Sequence, residues 1–307
     1  MANLDFDDLM TLAAEPSSDA RRRLLRGLTD LFLAEAKTAT HDECETFGDL
    51  ARKISQEVDV ASRAELSERI AIVDETPHNL VAQLAQDDAI DVAAPILEHS
   101  TVLTDDDLVA ITEAEGEDHM LAISKRATLS EIVTDRLVQH GTTPVLRTVS
   151  GNHGARFSAK GANMLVERAK GDRTIIGNLY ERQDVPKAAA KSVERIVFND
   201  SELGNALRKR RVKRLTESLA ATFTQLSGME PREIAEIIQR GKPDMIAIIA
   251  RAVDFDRGDL RLVLEDRLER SSESGAILHQ TLEKFDAMPQ ENARRVATFL
   301  KVRKAVA

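Results

Sequence analysis

The stretch ISKRATLSEIVTDRLV, residues 123–138, contains a pattern that occurs four times and predicts the fold. A polar or charged residue is followed three positions later by a small or apolar one, and an amphipathic helix comes next. The other copies are LAQDDAIDVAAPIL (84–97), VSGNHGARFSAKGANMLV (149–166) and LYERQDVPKAAAKSV (179–193). The polar positions, each given with its apolar partner at +3, are Asp87 and Ile90, Arg126 and Leu129, Asn152 and Ala155, and Arg182 and Val185.

The spacing of these copies is typical of stacked helix pairs. The polar positions are 39, 26 and 30 residues apart, and repeats of this length form solenoids. One unit cannot bury its apolar face alone, so the copies are expected to stack. The composition agrees, because the chain has no Trp and one Tyr, whereas helix-forming Ala, Leu, Glu and Arg are plentiful. We therefore predict an all-α fold: a HEAT-like α-solenoid followed by a helical bundle.

Three regions are predicted along the 307 residues. Residues 1–75 form an acidic helical segment, residues 76–200 carry the HEAT-like repeats, and residues 201–307 form the C-terminal bundle. Ser201 is expected to cap a long helix whose apolar residues, from Leu203 to Leu226, include a short coiled-coil-like seam. That seam packs either on the C-terminal helices or on a second copy of the chain. The remaining helices are expected near 231–240, 243–252, 256–270, 275–287 and 290–304.

Local patterns add detail. Cys44 shares a helix face with Phe47 and Ala51, which predicts a core residue and not a reactive thiol. Thr104 is followed by three aspartates, and its spacing to Asp107 predicts a capping box at a helix start. Pro95 is expected to kink or shorten the helix that follows Ile90. The one β-like run, residues 145–149, has no partner strand and lies within the repeats.

The net charge of −10 is spread unevenly. Residues 1–120 carry 9 Lys and Arg against 28 Asp and Glu, whereas residues 121–225 carry 19 against 10. These regions could attract each other within one chain, between two copies or toward different partners, or they are simply solvated helix faces. A single cysteine, an acidic start and no apolar stretch of about 20 residues predict a cytoplasmic protein without a membrane partner.

Several phrases of the repeat region resemble a family of alphaproteobacterial proteins of unassigned function with HEAT-like helical repeats. The phrases are Leu84-Ala85-x-Asp87, Val92-Ala93-x-Pro95-x-Leu97, Leu103-x-x-x-Asp107-Leu108, Ile123-x-x-Arg126 and Ile249-Ala250-Arg251-Ala252. The resemblance covers roughly residues 76–260. It implies an all-α repeat fold and a bacterial cytoplasmic setting, and it brings no catalytic residues. Proteins of this fold generally act as scaffolds, which is an analogy of fold alone.

Motifs for known chemistry are missing from the sequence. No two of the seven histidines stand three or four residues apart, and no P-loop, dinucleotide fingerprint or nucleophile elbow occurs. We therefore expect no enzymatic activity, no cofactor and no metal site. The glycine-rich loop after residue 150 either simply joins two helices or forms an anion cradle. The residues of that cradle would be Gly151, Asn152, His153, Gly154 and Arg156.

Cations supply the candidate partner-binding residues. Arg126 and Arg182 hold matching repeat positions, so they either bond to helix ends of the neighbouring repeat or bind a partner along the concave face. The other candidates are Arg195, Arg208, Lys209, Arg210, Arg211, Lys213 and Arg214. The run from Arg208 to Arg214 would contact phosphates or an acidic protein surface. No aromatic side chains are interleaved with it to stack on bases.

These observations support three hypotheses of function. The first is a non-enzymatic adaptor or regulatory protein that binds another protein through the solenoid face or the C-terminal helices. The second is a nucleic-acid-binding protein that uses the basic residues of the region 121–225. The third is an enzyme or small-ligand sensor whose site assembles from distant helices. A homodimer through residues 201–227, or through charge complementarity, is a further alternative.

Overall fold

The computed structural model describes residues 6–271 and 275–306, which fold into nineteen helices. Within those ranges the only β-type pairing is one isolated bridge between Leu129 and Ala155. The all-α prediction is therefore confirmed. None of the helices in the described part of the chain is long and apolar enough to cross a membrane. The first five residues of the acidic start lie outside the described residues.

Two compact units divide the chain, unit 1 at Met1–Val197 and unit 2 at Phe198–Ala307. The helices that begin in unit 1 are α1 (Phe6–Ala14), α2 (Ser18–Glu35), α3 (His41–Ser55), α4 (Val60–Ile70), α5 (His78–Ala85), α6 (Ile90–His99), α7 (Asp105–Ala114), α8 (Glu117–Ser124), α9 (Glu131–His140), α10 (Thr143–Gly151), α11 (Ala159–Ala169), α12 (Arg173–Glu181) and α13 (Lys187–Asn199).

Helices of unit 1 pack mainly on helices two places away in the chain. One layer runs from α4 through α6, α8 and α10 to α12. In the other layer, α3 packs on α5, α7 packs on α9, and α9 packs on α11. Contacts between α5 and α6, α7 and α8, and α9 and α10 join the layers. Stacked helix pairs in two layers are the packing of an α-solenoid, whereas the similarity to HEAT repeats in particular stays a prediction.

Aliphatic side chains fill the space between the layers. Leu84, Ile96, Ile123 and Leu137 are fully buried, and burying such a side chain stabilises the fold by about 1.5–3 kcal/mol. Cys44 is buried in α3, as predicted.

The start of α7 has the cap that the sequence predicts at Thr104. The Asp107 amide donates to Thr104 Oγ1 at 3.2 Å, and the Thr104 amide donates to the Asp107 carboxylate at 2.8 Å. This confirms the predicted capping box. Helix α6 begins at Ile90 and continues through Pro95 to His99, so the proline does not shorten it.

The acidic N-terminal helices belong to unit 1, and ion pairs join α2 to α4. Arg22 lies 3.2 Å from Asp59, and Arg26 Nε donates to Glu65 at 2.7 Å. A third guanidinium, on α4, lies 2.5 Å from the Asp30 carboxylate of α2. Exposed pairs of this kind stabilise by only about 0–1 kcal/mol each, so their main effect is to set how the two helices lie.

Unit 2 is built around one long helix. Its helices are α14 (Ser201–Ser227), α15 (Pro231–Arg240), α16 (Pro243–Ala252), α17 (Arg257–Ser271), α18 (Gly275–Ala287) and α19 (Gln290–Val306). Leu219 and Phe223 of α14 are buried against Ile234, Ile249 and Leu264. The apolar seam of α14 therefore packs on the C-terminal helices. A homodimer through residues 201–227 stays a prediction.

The predicted bounds of the C-terminal helices agree closely with the structure. α15, α16 and α18 have the predicted ends, α17 is shifted by one residue, and α19 extends two residues further. The expected cap at Ser201 is wrong by one position. Asp200 is the N-cap, and its carboxylate accepts the Leu203 amide at 3.0 Å.

Neighbouring loops of unit 1 are joined by backbone hydrogen bonds. The Leu129 amide donates to the Gly154 carbonyl at 3.0 Å, and the Arg156 amide donates to the Leu129 carbonyl at 3.1 Å. A Cβ atom on Gly154 would lie 1.8 Å from the Ala127 carbonyl oxygen. Glycine is therefore needed here because backbone approaches backbone.

Gly154→Ala should lower the free energy of unfolding by about 1–3 kcal/mol, the usual cost of overpacking. Tyrosine fluorescence during urea unfolding reports on unit 1 alone, because Tyr180 is the only tyrosine and tryptophan is absent. Gly116→Ala is the matched control, since a Cβ there meets nothing within 4 Å. Equal stability of the two variants would contradict the close loop contact.

Candidate functional site

Three of the predicted polar residues lie at equivalent places in successive repeats. Arg126, Asn152 and Arg182 each lie one or two residues after the end of a helix in the layer that runs from α4 to α12, namely α8, α10 and α12. The last carbonyls of a helix have no intrahelical partner and carry partial negative charge. Each of the three side chains donates to such carbonyls of the preceding repeat. We call this column of contacts the carbonyl ladder.

Arg126 makes the first contact of the carbonyl ladder. Its Nη1 donates to the Leu97 carbonyl at 2.7 Å, and its Nη2 donates to the Ser100 carbonyl at 2.6 Å. Both acceptors lie at the C-terminal end of α6. Burial lowers the pKa of Arg126, while the Asp105 charge opposes that shift. An arginine keeps its charge at neutral pH in either case.

Asn152 repeats the contact one helix pair later. Its Nδ2 donates to the Ser124 carbonyl at 2.9 Å and to the Arg126 carbonyl at 2.8 Å. Its Oδ1 accepts the Gly154 amide at 2.8 Å, which shapes the following loop.

Arg182 completes the ladder, and its side chain has no exposed surface. The guanidinium donates to the Asn152 carbonyl and, at 2.6 Å, to the Ala155 carbonyl. It also pairs with Asp184 and lies 4.9 Å from the Phe157 ring centre. The hydrogen bonds from Arg182 hold the pKa of Asp184 below its usual range. Every face of the group is thus occupied, and Arg182 is not accessible to a partner in this structure.

Asp87 does not belong to this column, which corrects the predicted register. It lies between α5 and α6, where it accepts from Arg63 Nε at 2.6 Å, and its carbonyl is 3.0 Å from His119 Nε2. Burial raises the pKa of Asp87, but the bonds from Arg63 and the Ala89 amide outweigh it and lower that pKa. The equivalent position is Ser100, which follows α6 and precedes Leu103 by three residues. Counted from Ser100, the intervals become 26, 26 and 30 residues.

Arg168 makes the same kind of contact in the other layer and was not singled out from the sequence. It donates from α11 to the Gln139 carbonyl at 3.0 Å and to the Gly141 carbonyl at 2.8 Å, at the end of α9. Its helix position carries no loop signal. The one available signal in the sequence is that Arg168 follows the end of α9 by about the length of one repeat.

The loop from Gly151 to Arg156 does not have the geometry of an anion cradle. The Asn152, Gly154 and Ala155 amides donate to acceptors within the chain, and the Arg156 amide donates to Leu129. His153 and the Arg156 side chain are exposed beside this loop. The simpler reading, a loop between two helices with Ser158 as the next N-cap, agrees with the Gly161 amide bond at 2.9 Å.

Loops held by the ladder form an open groove of about 500 Å³, which we call the loop groove. It is lined by Thr101, Leu103, Asp105, Leu108, Arg126, Thr128, Leu129, Ser130, Gly154 and Arg156. The lining thus comes from three successive repeats and contains apolar groups, hydroxyls and charges of both signs. Arg156 is largely exposed and lies 3.8 Å from Glu131.

Two cations of the basic run of α14 form ion pairs within unit 2. Arg208 lies 3.0 Å from Glu269, and Arg211 lies 2.8 Å from Asp259, both on α17. These two arginines therefore pair within unit 2. Lys209, Arg210, Lys213 and Arg214 are exposed on α14, and Arg195 is exposed on α13. In the part of the chain that the structure describes, no group of three or more His, Cys, Asp or Glu side chains could hold a metal ion.

Residues 92–200 match the model of a family described as "Uncharacterised protein conserved in bacteria (DUF2336)". The matched segment contains the carbonyl ladder and the loop groove, whereas α2, α3 and the basic run of α14 lie outside it. No curated protein and no solved structure matches the chain significantly. Membership of a specifically alphaproteobacterial family stays a prediction.

Arg182→Ala should lower the free energy of unfolding by about 3 kcal/mol, because it leaves buried carbonyls without donors. Arg156→Ala is the matched control, and its cost should stay below about 0.5 kcal/mol because that side chain is exposed. Urea unfolding followed by Tyr180 fluorescence measures both. A similar, small cost for the two variants would mean that the ladder does not stabilise unit 1.

Proposed function

We propose that this chain is a non-enzymatic adaptor or regulatory protein that binds an extended segment of another protein in the loop groove. The mixed lining of that groove carries the proposal. Leu103 and Leu129 form its largely buried apolar floor, Asp105 and Arg156 supply opposite charges, and Thr128 supplies a hydroxyl. Protein segments present these same groups in alternation, so such a surface can select one by its sequence.

The charge balance of the loop groove favours a protein over a nucleic acid. A nucleic-acid groove would carry mainly Lys and Arg along its length, because phosphate contacts supply most of the affinity. Here Asp105 and Glu131 lie close to Arg126 and Arg156. Arg126 is also committed to two carbonyls, so Arg156 is the cation that a partner would meet first.

Rigid support adds to the case. A binding surface is most effective when its groups are held in place before the partner arrives. The carbonyl ladder and the backbone bonds between Leu129, Gly154 and Arg156 hold the three loops in this way.

Nucleic-acid binding through α14 remains a second candidate, because four neighbouring cations are exposed there. Lys209 and Arg210 are exposed, whereas Lys213 lies 3.9 Å from Glu217. Binding of this kind would weaken steeply with salt. The paired Arg208 and Arg211 reduce the charge that is free to act.

Affinity capture with the full chain in native lysate, after nuclease treatment and at two salt concentrations, tests the proposal. The wild type should retain a stoichiometric protein partner. Arg156→Glu and Thr128→Tyr should each retain at least about tenfold less of this partner. The first reverses a charge in the groove, and the second fills the groove with a larger side chain. Lys160→Glu, an exposed charge reversal outside the groove, should retain the partner.

Two results would contradict the proposal. One is the absence of any stoichiometric protein at either salt concentration, and the other is equal capture by all variants. A nuclease-sensitive complex that is lost in Lys209→Glu with Arg210→Glu would favour the second candidate instead.

A further inference from the structure

A second groove, far from the loop groove in sequence, lies between α2 and α3. Its volume is about 370 Å³, and its lining comes from these two helices and their connection. We call it the α2–α3 groove. Leu28, Leu31 and Phe32 line it from α2, and Phe47 and Leu50 line it from α3. The spacing of three or four residues from Leu28 to Leu31 and Phe32, and of three from Phe47 to Leu50, places each set toward one side of its helix.

The floor and the lips of this groove differ in exposure. The Phe32 and Phe47 rings are stacked in parallel, with centres 4.1 Å apart, and both are buried. Leu31 and Leu50 remain 48% and 43% exposed. One exposed leucine is ordinary, whereas two at the edges of an apolar trough form a patch suited to an interaction.

The other faces of the two helices are already packed. Gly48 of α3 lies close to the Pro77 ring, and Arg26 of α2 pairs with Glu65 of α4. The apolar trough is therefore an additional face of the pair. A two-helix trough of this shape takes a third helix, whose side chains at i, i+3, i+4 and i+7 enter it.

Carboxylates lie at the end of the groove where α2 connects to α3. Glu35, Asp42 and Glu43 all line the groove. The Thr40 amide and hydroxyl bond to Glu43 and hold the pKa of Glu43 below its usual range, so it stays negative at neutral pH. Residues 28–50 hold six acids and one lysine. The occupant should therefore carry Lys or Arg beside its apolar face.

We propose that the α2–α3 groove binds an amphipathic helix of a protein partner, with leucine-like side chains over Phe32 and Phe47 and basic side chains beside Glu35 and Asp42. This proposal rests on the proposed protein-binding function and adds a separate surface and partner chemistry. It lies outside residues 92–200, so the family model makes no statement about it.

Other occupants fit the groove less well. Anionic lipid headgroups and nucleic acids would meet the carboxylate rim and be repelled. In a second copy, the basic helix α14 has its apolar residues Val212, Leu219 and Phe223 buried in unit 2. It therefore offers no apolar face for the trough.

The test uses fluorescent synthetic peptides about four helical turns long, with leucines at i, i+3, i+4 and i+7 and lysines elsewhere. A second peptide has glutamate in place of lysine. Binding to the full chain is measured by fluorescence anisotropy. The Leu/Lys peptide should bind the wild type at least about tenfold more tightly than the Leu/Glu peptide.

Variants locate the binding. The double variant Leu31→Ser with Leu50→Ser should bind the Leu/Lys peptide about tenfold more weakly or worse, because the apolar contacts of both leucines with the peptide are lost. Glu35→Lys with Asp42→Lys should reverse the preference toward the Leu/Glu peptide. Ile132→Ser, which changes another exposed large side chain (62% exposed), should bind like the wild type. All substituted residues are exposed, and circular dichroism checks that each variant is folded.

Four outcomes would overturn the proposal: no peptide binding, equal binding of both peptides, no loss in the double leucine variant, or a dimer in sedimentation that this variant abolishes. Arg156→Glu separates this proposal from the proposed function, since it should leave peptide binding unchanged. Peptide binding together with failed capture from lysate would therefore reject the loop groove while the α2–α3 groove stands.

Discussion

The structure of unit 1 depends on hydrogen bonds from side chains to helix-end carbonyls of the preceding repeat. A helix leaves its last carbonyls without partners, and a buried carbonyl without a donor costs about 1–3 kcal/mol. Arg126, Asn152 and Arg182 supply the donors for α6, α8 and the loop after α10. Apolar stacking alone would allow neighbouring repeats to slide or rotate, whereas these bonds fix their register.

The same bonds connect architecture to binding. They place the loops after α6, α8 and α10 side by side, and Gly154 lets two of those loops approach until their backbones pair. The loop groove is therefore a product of the register between repeats. The α2–α3 groove has a different origin. It arises from one helix pair in which Phe32 and Phe47 are buried against each other while Leu31 and Leu50 stay exposed beside them. Two grooves of different chemistry in one unit agree with the proposed adaptor role, in which each groove would bind a different segment.

Much of this fold follows from the sequence, for identifiable reasons. Helix positions were predictable because caps and apolar spacing act locally, as at Thr104 and in the bounds of α15 and α16. The structural reading of Arg126 and Arg182 was also correct. Asp87 was wrongly assigned to the column of Arg126, Asn152 and Arg182. Its pattern, a polar residue followed at +3 by an apolar one, occurs both in the loop inside a helix pair and in the loop that joins two pairs. Its true partner, Arg63, is 24 residues away and follows no local pattern.

What the sequence could not provide is the convergence of distant residues. Leu31 and Leu50 belong to different helices, and their shared groove depends on how α2 lies against α3. Likewise, the basic run of α14 suggested six available cations, yet two of them pair with acids of α17 that are about fifty residues away. Charge counts along a chain describe its composition, and only packing decides which charges face solvent.

Native-state hydrogen exchange of Asn152→Ala tests most directly whether the carbonyl ladder couples the repeats. Losing the bonds to Ser124 and Arg126 should lower the opening free energies of amides in α11 and α12, which follow the broken contact. Those of α5 and α6, which precede it, should stay as in the wild type. A uniform decrease in all of these helices, or no decrease in any, would contradict the account.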